Sequence, residues 1–185
     1  MAKVLFHATM SLDGFITGPR GAMDWVGPFA GTPNPSVDEL MPRIGALLIG
    51  GNTFRGGAAA DAHPAGSPEG APYGGAWSGP MFVLTRDPDE PAREGYTFLS
   101  GELQDAVEVA RAAANGGYVV VLGAATARAC LEAGLLDEVL LHIAPILLGD
   151  GVRMLDRDGG QPVHLEWMER STAGDIENLW ARVIR

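Results

Sequence analysis

Short apolar runs that end at glycine or threonine recur along the chain and predict buried β-strands. These runs lie at residues 3–9, 46–50, 81–85 and 118–123. Their apolar character is nearly continuous rather than alternating, as it is in strands that have helices on both faces of the sheet. We therefore expect four interior strands of a covered sheet.

Segments with helical signals separate these strands. Residues 36–45 predict a short helix that Ser36 opens. Residues 101–117 carry apolar side chains at helical spacing and end at a glycine pair, and residues 124–139 repeat that plan with Gly134 as the terminator. Alternating strands and helices are typical of βα units, so the core of the sheet should be largely parallel.

The C-terminal third follows a different pattern. A further apolar run covers residues 138–148, and residues 163–170 and 176–185 then alternate between apolar and polar around a turn at 171–175. This alternation predicts an antiparallel hairpin joined to the edge of the sheet. Together the patterns predict an α/β protein with a mixed, mostly parallel sheet.

Length and charge limit the kind of partner. The 185 residues suit one domain, which we place at 1–185, and the formal net charge of −10 disfavours nucleic acid and anionic membrane surfaces. A small molecule is the expected partner. Cys130 lies in an Ala/Leu-rich stretch and is interpreted as a buried apolar residue rather than a catalytic thiol. We find no leader or membrane-helix pattern and expect a cytoplasmic protein.

Residues 56–80 are rich in Gly, Ala, Pro and Ser and show no periodicity. They predict a loop of unusual length, and such loops in compact domains are usually functional or mobile. Its aromatic residues, Tyr73 and Trp77, favour a flat and weakly polar ligand.

Small and polar residues follow three of the predicted strands: Gly50–Thr53, then Thr85 with Arg86, then Gly123–Thr126. Glycine-rich turns and helix N-termini present backbone N–H groups to phosphates, and a guanidinium binds phosphate through charge-assisted hydrogen bonds. A tight turn, a surface arginine or close helix packing also explains each signal taken alone. Because the carboxyl ends of parallel strands converge on one crevice, the three together predict a dinucleotide lying across the sheet. The arginines expected to line it are Arg55, Arg86 and Arg128.

The order of four stretches carries a resemblance to a known fold. SLDGFITGPRGAMDW, LLIGGNTF, VLTR and VVLGAATARACLEAGLLDEVLLHIAPILLGDG follow one another as in the dihydrofolate reductase fold superfamily. The chain is similar in particular to the branch that contains the reductase domain of riboflavin biosynthesis, over essentially its whole length. The resemblance implies a three-layer α/β fold with helices on both faces, NADPH as the cofactor, and a homodimer.

The resemblance also implies where the cofactor binds. Near the nicotinamide it places Thr9, Ile16 and the flap 17–25. On the pyrophosphate it places Gly50, Gly51, Asn52 and Thr53. Around the adenosine and its 2′-phosphate it places Leu84, Thr85 and Arg86. The residues that complete the cleft are Gly123, Ala124, Ala125 and Thr126.

The flap GPRGAMDW occupies the place of the mobile flap that closes over the nicotinamide in dihydrofolate reductases. Its expected hinges are Gly14, Gly18, Gly21 and Gly27. One departure matters, because Asp24 stands where a proline usually precedes the tryptophan, and the acid that grips the pterin has no clear counterpart. The resemblance therefore does not carry over a folate site.

Reduction by hydride needs a proton on the heteroatom, and a carboxyl group whose pKa is raised by burial can supply it. Asp24 is the first candidate for this acid and Asp38 the second, although Asp38 also suits a helix N-terminus. No His, Cys and Asp spacing suggests a metal site. His7 and His142 are interpreted as satisfied sheet histidines rather than proton shuttles.

Three residues are candidate substrate contacts. Asp13 has turn formation as its alternative role, and Trp25 has anchoring of the flap. Phe54 follows the first glycine turn and is the third candidate.

The sequence thus predicts an NADPH-dependent reductase that transfers hydride to a C=N or C=O group of a small heterocycle. The rival within enzymes is the 5-amino-6-(5-phosphoribosylamino)uracil reductase of the riboflavin pathway. Its phosphorylated substrate demands a cationic pocket, whereas the ionisable groups of the long loop are Asp61, His63 and Glu69. Two non-enzymatic classes stay open, a nucleotide-binding protein without turnover and an interaction module, and the three consecutive strand-end signals argue against the interaction module.

Overall fold

A computed structural model describes residues 1–56, 72–86 and 93–185, and a central eight-stranded sheet organises them. The strands of this sheet are β1 (Val4–Ser11), β3 (Ile44–Gly50), β4 (Met81–Leu84), β5 (Tyr96–Leu99), β6 (Tyr118–Leu122), β7 (Glu138–Ala144), β9 (Leu165–Ala173) and β10 (Ile176–Val183). Their order is β5-β4-β3-β6-β1-β7-β10-β9. The first six are parallel, and β10 and β9 run antiparallel at one edge. The mixed sheet and its C-terminal hairpin confirm the prediction.

Helices cover both faces of the sheet. α3 (Leu103–Ala113) and α4 (Ala124–Glu132) pack on one face, where Phe6, Val107 and Ala127 belong to one apolar core. α1 (Pro35–Leu40) and α2 (Gly51–Gly56) lie on the other face, where Leu40 and Leu47 share the second core. The continuous apolar runs of β3 and β6 are explained by this arrangement, because both faces of these strands are buried.

A second, two-stranded sheet holds the N-terminal flap. β2 (Phe15–Thr17) pairs antiparallel with β8 (Val152–Arg153), and the chain then makes 3-10 turns at Pro19–Gly21 and Asp24–Phe29. The sequence analysis predicted neither β2 nor β8, and it also missed β5. All three are short, and each depends on a partner that is distant in sequence.

The start of the first helix differs from the prediction. α1 begins at Pro35 and ends at Leu40, and its cap is Asn34, whose side-chain oxygen accepts the Ser36 N–H at 3.1 Å. Ser36 lies inside the helix and is buried. Proline suits the first helical position, where its missing N–H is not needed, so the preceding asparagine becomes the cap.

The described part of the long loop contributes to the core. Trp77 packs against the apolar core on the α1 and α2 side and donates from its indole N–H to the Ile44 carbonyl at 3.3 Å. Asp61, His63 and Glu69 lie outside the described residues. Cys130 is fully buried, as expected, and burial raises the pKa of its thiol to about 12. Across the three described ranges, no helix has the length and apolar character needed to span a membrane.

Candidate active site

Three strand ends meet at the carboxyl edge of the sheet. β4, β3 and β6 are consecutive parallel neighbours, so the turns that follow them lie side by side. A Cβ atom added at Gly51 would lie 3.3 Å from the Leu84 carbonyl oxygen, which brings the ends of β3 and β4 together. The predicted convergence of these strand ends is therefore observed, and the binding roles of their residues stay predictions.

Two of these turns interlock through glycine and threonine. A Cβ at Gly50 would overlap the hydroxyl of Thr126, and a Cβ at Gly123 would overlap the hydroxyl of Thr53. Gly123 also has a φ of 107°, which side chains rarely adopt. We call the residues Gly50, Gly51, Thr53, Gly123 and Thr126 the glycine cradle. Glycine at positions 50 and 123 therefore leaves room for the two threonine side chains, which lets the turns after β3 and β6 pack closely.

The arginines near the cradle have different surroundings. Arg55 hydrogen-bonds to the Asn52 side chain at 3.2 Å and lies over Gly51. Arg86 is exposed directly after the buried Thr85 at the end of β4. Arg128 donates to the Asp156 carbonyl at 2.9 Å, so its guanidinium is engaged with a neighbouring loop. Of the three, Arg55 lies against the cradle at Gly51, and Arg86 follows the end of the neighbouring strand β4.

Trp25 anchors the flap. Its side chain is buried in a small apolar cluster with Ala144 and Ile176, which fills the space between the flap and the ends of β7 and β10. The indole N–H of Trp25 has no hydrogen-bond partner among the described residues. The packing favours the anchoring role over substrate contact.

Asp13 holds the base of the flap. Its carboxylate accepts the Ser11 hydroxyl at 2.6 Å and the backbone N–H groups of Leu148 and Gly149 at 3.1 and 2.8 Å. The Ser11 hydrogen bond is the main cause that lowers the pKa of Asp13 to about 2. Both oxygens are occupied, so the turn-forming role fits this geometry better than a substrate contact.

The predicted glycine hinges are not equivalent. Gly14 and Gly21 have φ values of 90° and 80°, which require glycine or cost strain. Gly18 has a φ of −75°, and a Cβ added at Gly27 would meet nothing within 4 Å. Only the first two positions need glycine for their conformation.

Phe54 packs into an aromatic cluster. Its ring contacts those of Tyr96 and Phe98 edge-on, with centroids 5.1 and 5.2 Å apart, and the Arg93 guanidinium lies 5.5 Å from it. These contacts fasten α2 to the edge strand β5. The role that the structure shows for Phe54 is therefore packing.

A cavity of about 310 Å³ lies between the segment 26–33 that follows the flap, α1, the ends of β1 and β7, and the turn between β9 and β10. Thr9 and Asp38, both predicted site residues, line it, whereas Asp24 and Trp25 do not. The cavity is lined by Thr9, Val26, Phe29, Ala30, Gly31, Thr32, Pro33, Asn34, Val37, Asp38, His142, Ala173 and Ile176. β1, which carries Thr9, is the neighbour of β6 in the parallel sheet, so the cavity and the turn after β6 lie at the same carboxyl edge on adjacent strands. The cavity therefore opens beside the glycine cradle.

Neither candidate acid is buried. Asp24 and Asp38 are both exposed, so neither side chain has the burial that we expected of the acid. The expectation of a buried acid is wrong for this conformation because Asp24 starts a surface turn and Asp38 lies in the first turn of α1. Their roles as proton donors stay predictions.

Two histidines form a hydrogen-bonded pair, and one of them, His142, lines the cavity. The Nε2 atoms of His7 and His142 lie 2.7 Å apart, and the other nitrogen of each ring also has a partner. His7 Nδ1 meets the Tyr73 hydroxyl at 2.8 Å, and His142 Nδ1 meets the Asn178 side-chain oxygen at 2.6 Å. Both rings are satisfied, as the sequence analysis expected.

Burial keeps this pair neutral. Desolvation, followed by the proximity of His142, lowers the pKa of His7 to about 3. Desolvation also lowers the pKa of His142, although its hydrogen bond to Asn178 opposes the shift. Each ring therefore carries one proton at neutral pH. Sequence reasoning missed the pairing, which depends on the register that sets Thr9 opposite His142 in neighbouring parallel strands.

A sequence model of the RibD C-terminal domain matches residues 2–175. The chain belongs to the RibD C-terminal domain family. This family assignment confirms the resemblance to the riboflavin-biosynthesis branch, and the match covers the cradle, the flap and the whole cavity lining except Ile176.

Solved structures share the fold of this RibD C-terminal domain. A putative riboflavin biosynthesis protein from Shewanella sp. PV-4 is 24% identical, with each chain covered completely and a TM-score of 0.76. The riboflavin biosynthesis reductase Rib7 of Saccharomyces cerevisiae is 15% identical, with 100% of this chain and 89% of that chain covered and a TM-score of 0.63. Dihydrofolate reductase from Enterococcus faecalis, solved with NADP(H), is 15% identical, with 99% and 96% covered and a TM-score of 0.63. The predicted dihydrofolate reductase-like α/β fold is thus confirmed.

Proposed function

We propose that this protein is an NADPH-dependent reductase that transfers hydride to a C=N or C=O group of a small heterocycle. The observation that carries the proposal is the position of the cavity beside the glycine cradle, at the carboxyl edge of a parallel sheet. Ligands of open α/β sheets bind at this edge. The family and the reductase Rib7 among its structural relatives support the same reaction class.

The cradle residues fit the phosphates of the cofactor. We assign the phosphates to the backbone N–H groups of the turns that follow β3 and β6, where α2 and α4 begin, and Arg86 supplies a cation for the 2′-phosphate. Ile16 of β2 lies at the start of the flap, where the nicotinamide is expected. NADPH supplies the hydride when bound, and the protein holds the substrate and shields it from water.

Asp38 is the favoured proton donor because it lines the cavity, whereas Asp24 does not. Its exposed carboxyl group can be protonated again from solvent after each turnover. The proton goes to the heteroatom of the bond being reduced as the hydride goes to its carbon.

Calorimetric titration with NADPH and with NADH tests the cofactor assignment. Arg86→Ala should weaken NADPH binding about tenfold or more and leave NADH binding unchanged, since it removes one charge-assisted contact to the 2′-phosphate. Arg170→Ala is the matched control, because Arg170 is exposed on β9 at the other edge of the sheet. Failure of both nucleotides to bind would refute the proposal.

The riboflavin-pathway reductase is the second candidate, and the family favours it. Its substrate carries a phosphate, yet none of the chain's 13 Lys and Arg residues, all of which lie in the described ranges, lines the cavity. We therefore favour a substrate without phosphate. Oxidation of NADPH by the phosphorylated ribosylaminouracil, and not by its dephosphorylated form, would reverse this preference. Binding of NADPH without turnover of any heterocycle would favour a nucleotide-binding protein over an enzyme.

A further inference from the structure

The cap of α1 fixes the orientation of an amide group at the cavity. The Asn34 side-chain oxygen accepts the Ser36 N–H, so its amide nitrogen must point the other way. That nitrogen donates to the Asn178 side-chain oxygen at 2.9 Å. Asn178 is held in the same orientation by Ser171, whose hydroxyl accepts from its amide nitrogen at 3.3 Å. Both amides therefore have one consistent assignment.

This assignment sets the proton position on each histidine in turn. Since an oxygen of Asn178 faces His142 Nδ1, the proton of His142 is on Nδ1 and its Nε2 is an acceptor. His7 must then donate from Nε2, which leaves its Nδ1 to accept the Tyr73 hydroxyl proton. The donors thus follow one direction, from Tyr73 through His7 and His142 to Asn178.

One of the two N–H groups of the Asn34 amide is available to donate to a ligand. His142 Nδ1 lies 3.3 Å from the Asn34 amide nitrogen, but both atoms carry protons and cannot bond to each other. In residues 1–56, 72–86 and 93–185 we find no acceptor for the second amide N–H of Asn34. Asn34 lines the cavity, and Asp38 in the first turn of α1 lines it as well.

We infer that Asn34 is a substrate-orienting residue that donates this N–H to a carbonyl oxygen or imine nitrogen of the ligand. The inference rests on the proposed function in taking the cavity as the substrate site. Asp38 lines the same cavity, and its carboxyl group is our candidate to protonate the heteroatom that Asn34 holds. The chain from Tyr73 to Asn178 holds the amide in the donating orientation.

Proton relay through the two histidines does not fit this geometry. The chain ends at the amide oxygen of Asn178, which accepts a hydrogen bond but does not pass a proton on. The histidines are therefore positioning residues. Their own N–H groups are directed at protein atoms and not at the cavity.

Nitrogen NMR of the histidine side chains tests the assignment in the whole protein without any ligand. We expect His7 to be protonated on Nε2 and His142 on Nδ1 at pH 7.5. Asn34→Asp keeps a good helix cap but replaces the donor with a carboxylate. The chain should then reverse or His142 should gain a proton, and in both cases His7 moves its proton to Nδ1. Wild-type protein with the opposite tautomers, or His7 unchanged in the variant, overturns the inference.

The matched control is Asn115→Asp, which adds the same charge at an exposed position after α3. It should leave both histidine tautomers as they are in the wild type. A change in the control would show that net charge, and not the Asn34 amide, sets the tautomers, and this also overturns the inference.

A binding probe tests the ligand contact. 2-Pyridone, which presents a ring carbonyl, should shift the Asn34 amide resonances at millimolar concentration, and Asn34→Asp should weaken its binding about tenfold. No shift of the Asn34 amide in the wild type overturns the inference. Because neither experiment contains NADPH, its failure is distinguishable from failure of the proposed function, which the nucleotide titrations report.

Discussion

Substitution of Gly50 by alanine tests the interlocked turns of the glycine cradle. The new methyl group would overlap the Thr126 hydroxyl, and neither β3 nor α4 can move away freely, because both turns are part of the sheet edge. Overpacking of this kind costs about 1–3 kcal/mol. With a urea slope of about 2 kcal/mol per molar, a loss of about 2 kcal/mol lowers the unfolding midpoint by about 1 M.

A double-mutant cycle with Thr126→Ala separates this clash from other effects. Thr126→Ala removes the hydroxyl and leaves a Cβ that is 3.6 Å from the new methyl group, an ordinary contact. The double variant should therefore be more stable than the sum of the single variants, by about 1–2 kcal/mol. Urea unfolding followed by circular dichroism measures all four proteins.

Gly27→Ala is the control for the cycle. A Cβ at this position meets nothing within 4 Å, so its unfolding midpoint should match that of the wild type. Additive losses in Gly50→Ala and Thr126→Ala would refute the close approach of Gly50 and the Thr126 side chain, and with it the packing of the turns after β3 and β6.

Three further predictions concern the histidine pair, the flap and the sheet edge. The pKa of His7 falls from 6.5 to about 3 on folding, so between these pH values the unfolded chain binds one more proton than the folded chain. As the pH is lowered through this range, the free energy of unfolding should therefore fall by up to about 1.4 kcal/mol per pH unit. His7→Gln should flatten this slope, and equal slopes in the two proteins would contradict the burial of His7. Asp13→Asn weakens the acceptor of the Leu148 and Gly149 N–H groups, so amide hydrogen exchange at these two residues should become faster. Unchanged exchange would refute the role of Asp13 at the base of the flap. We propose that two copies of the chain pair through the exposed edge strand β9. Trp167 lies on this strand and is 52% exposed, so Trp167→Glu tests the pairing. Light scattering should show a dimer in the wild type and a monomer in the variant.

The sequence was most informative where a local signal also decides the tertiary arrangement. Strands β3 and β6 are apolar on both faces because helices cover both faces, so the run of residues alone indicated a parallel, covered sheet. The glycine turns after them were predicted to converge, since parallel strands bring their carboxyl ends to one edge. Gly134 follows the end of α4 with a φ of 67°, a conformation that favours glycine, so this local signal predicted the helix end.

Residues whose role depends on distant partners were harder to interpret. Trp25 was equally suited to substrate contact and to anchoring until its neighbours Ala144 and Ile176 were known. The same holds for Glu138, a fully buried carboxylate that accepts hydrogen bonds from Lys3, Tyr118 and Trp180 at 2.6 to 3.0 Å. Its sequence context, the start of an apolar strand, gave no indication of these three donors.

Asn34 shows why the candidate site was only half predictable. The cap was predicted at Ser36, and the structure places it at Asn34, an equally good capping residue two positions earlier. The choice follows from Asn178, which is 144 positions away and accepts the Asn34 amide, and from Pro35, which suits the first helical position. The cap residue also sets the positions of the histidine protons and leaves one Asn34 N–H at the cavity. The polar part of the site therefore could not be predicted without the correct cap, whereas the glycine turns of the cradle were predicted from the sequence.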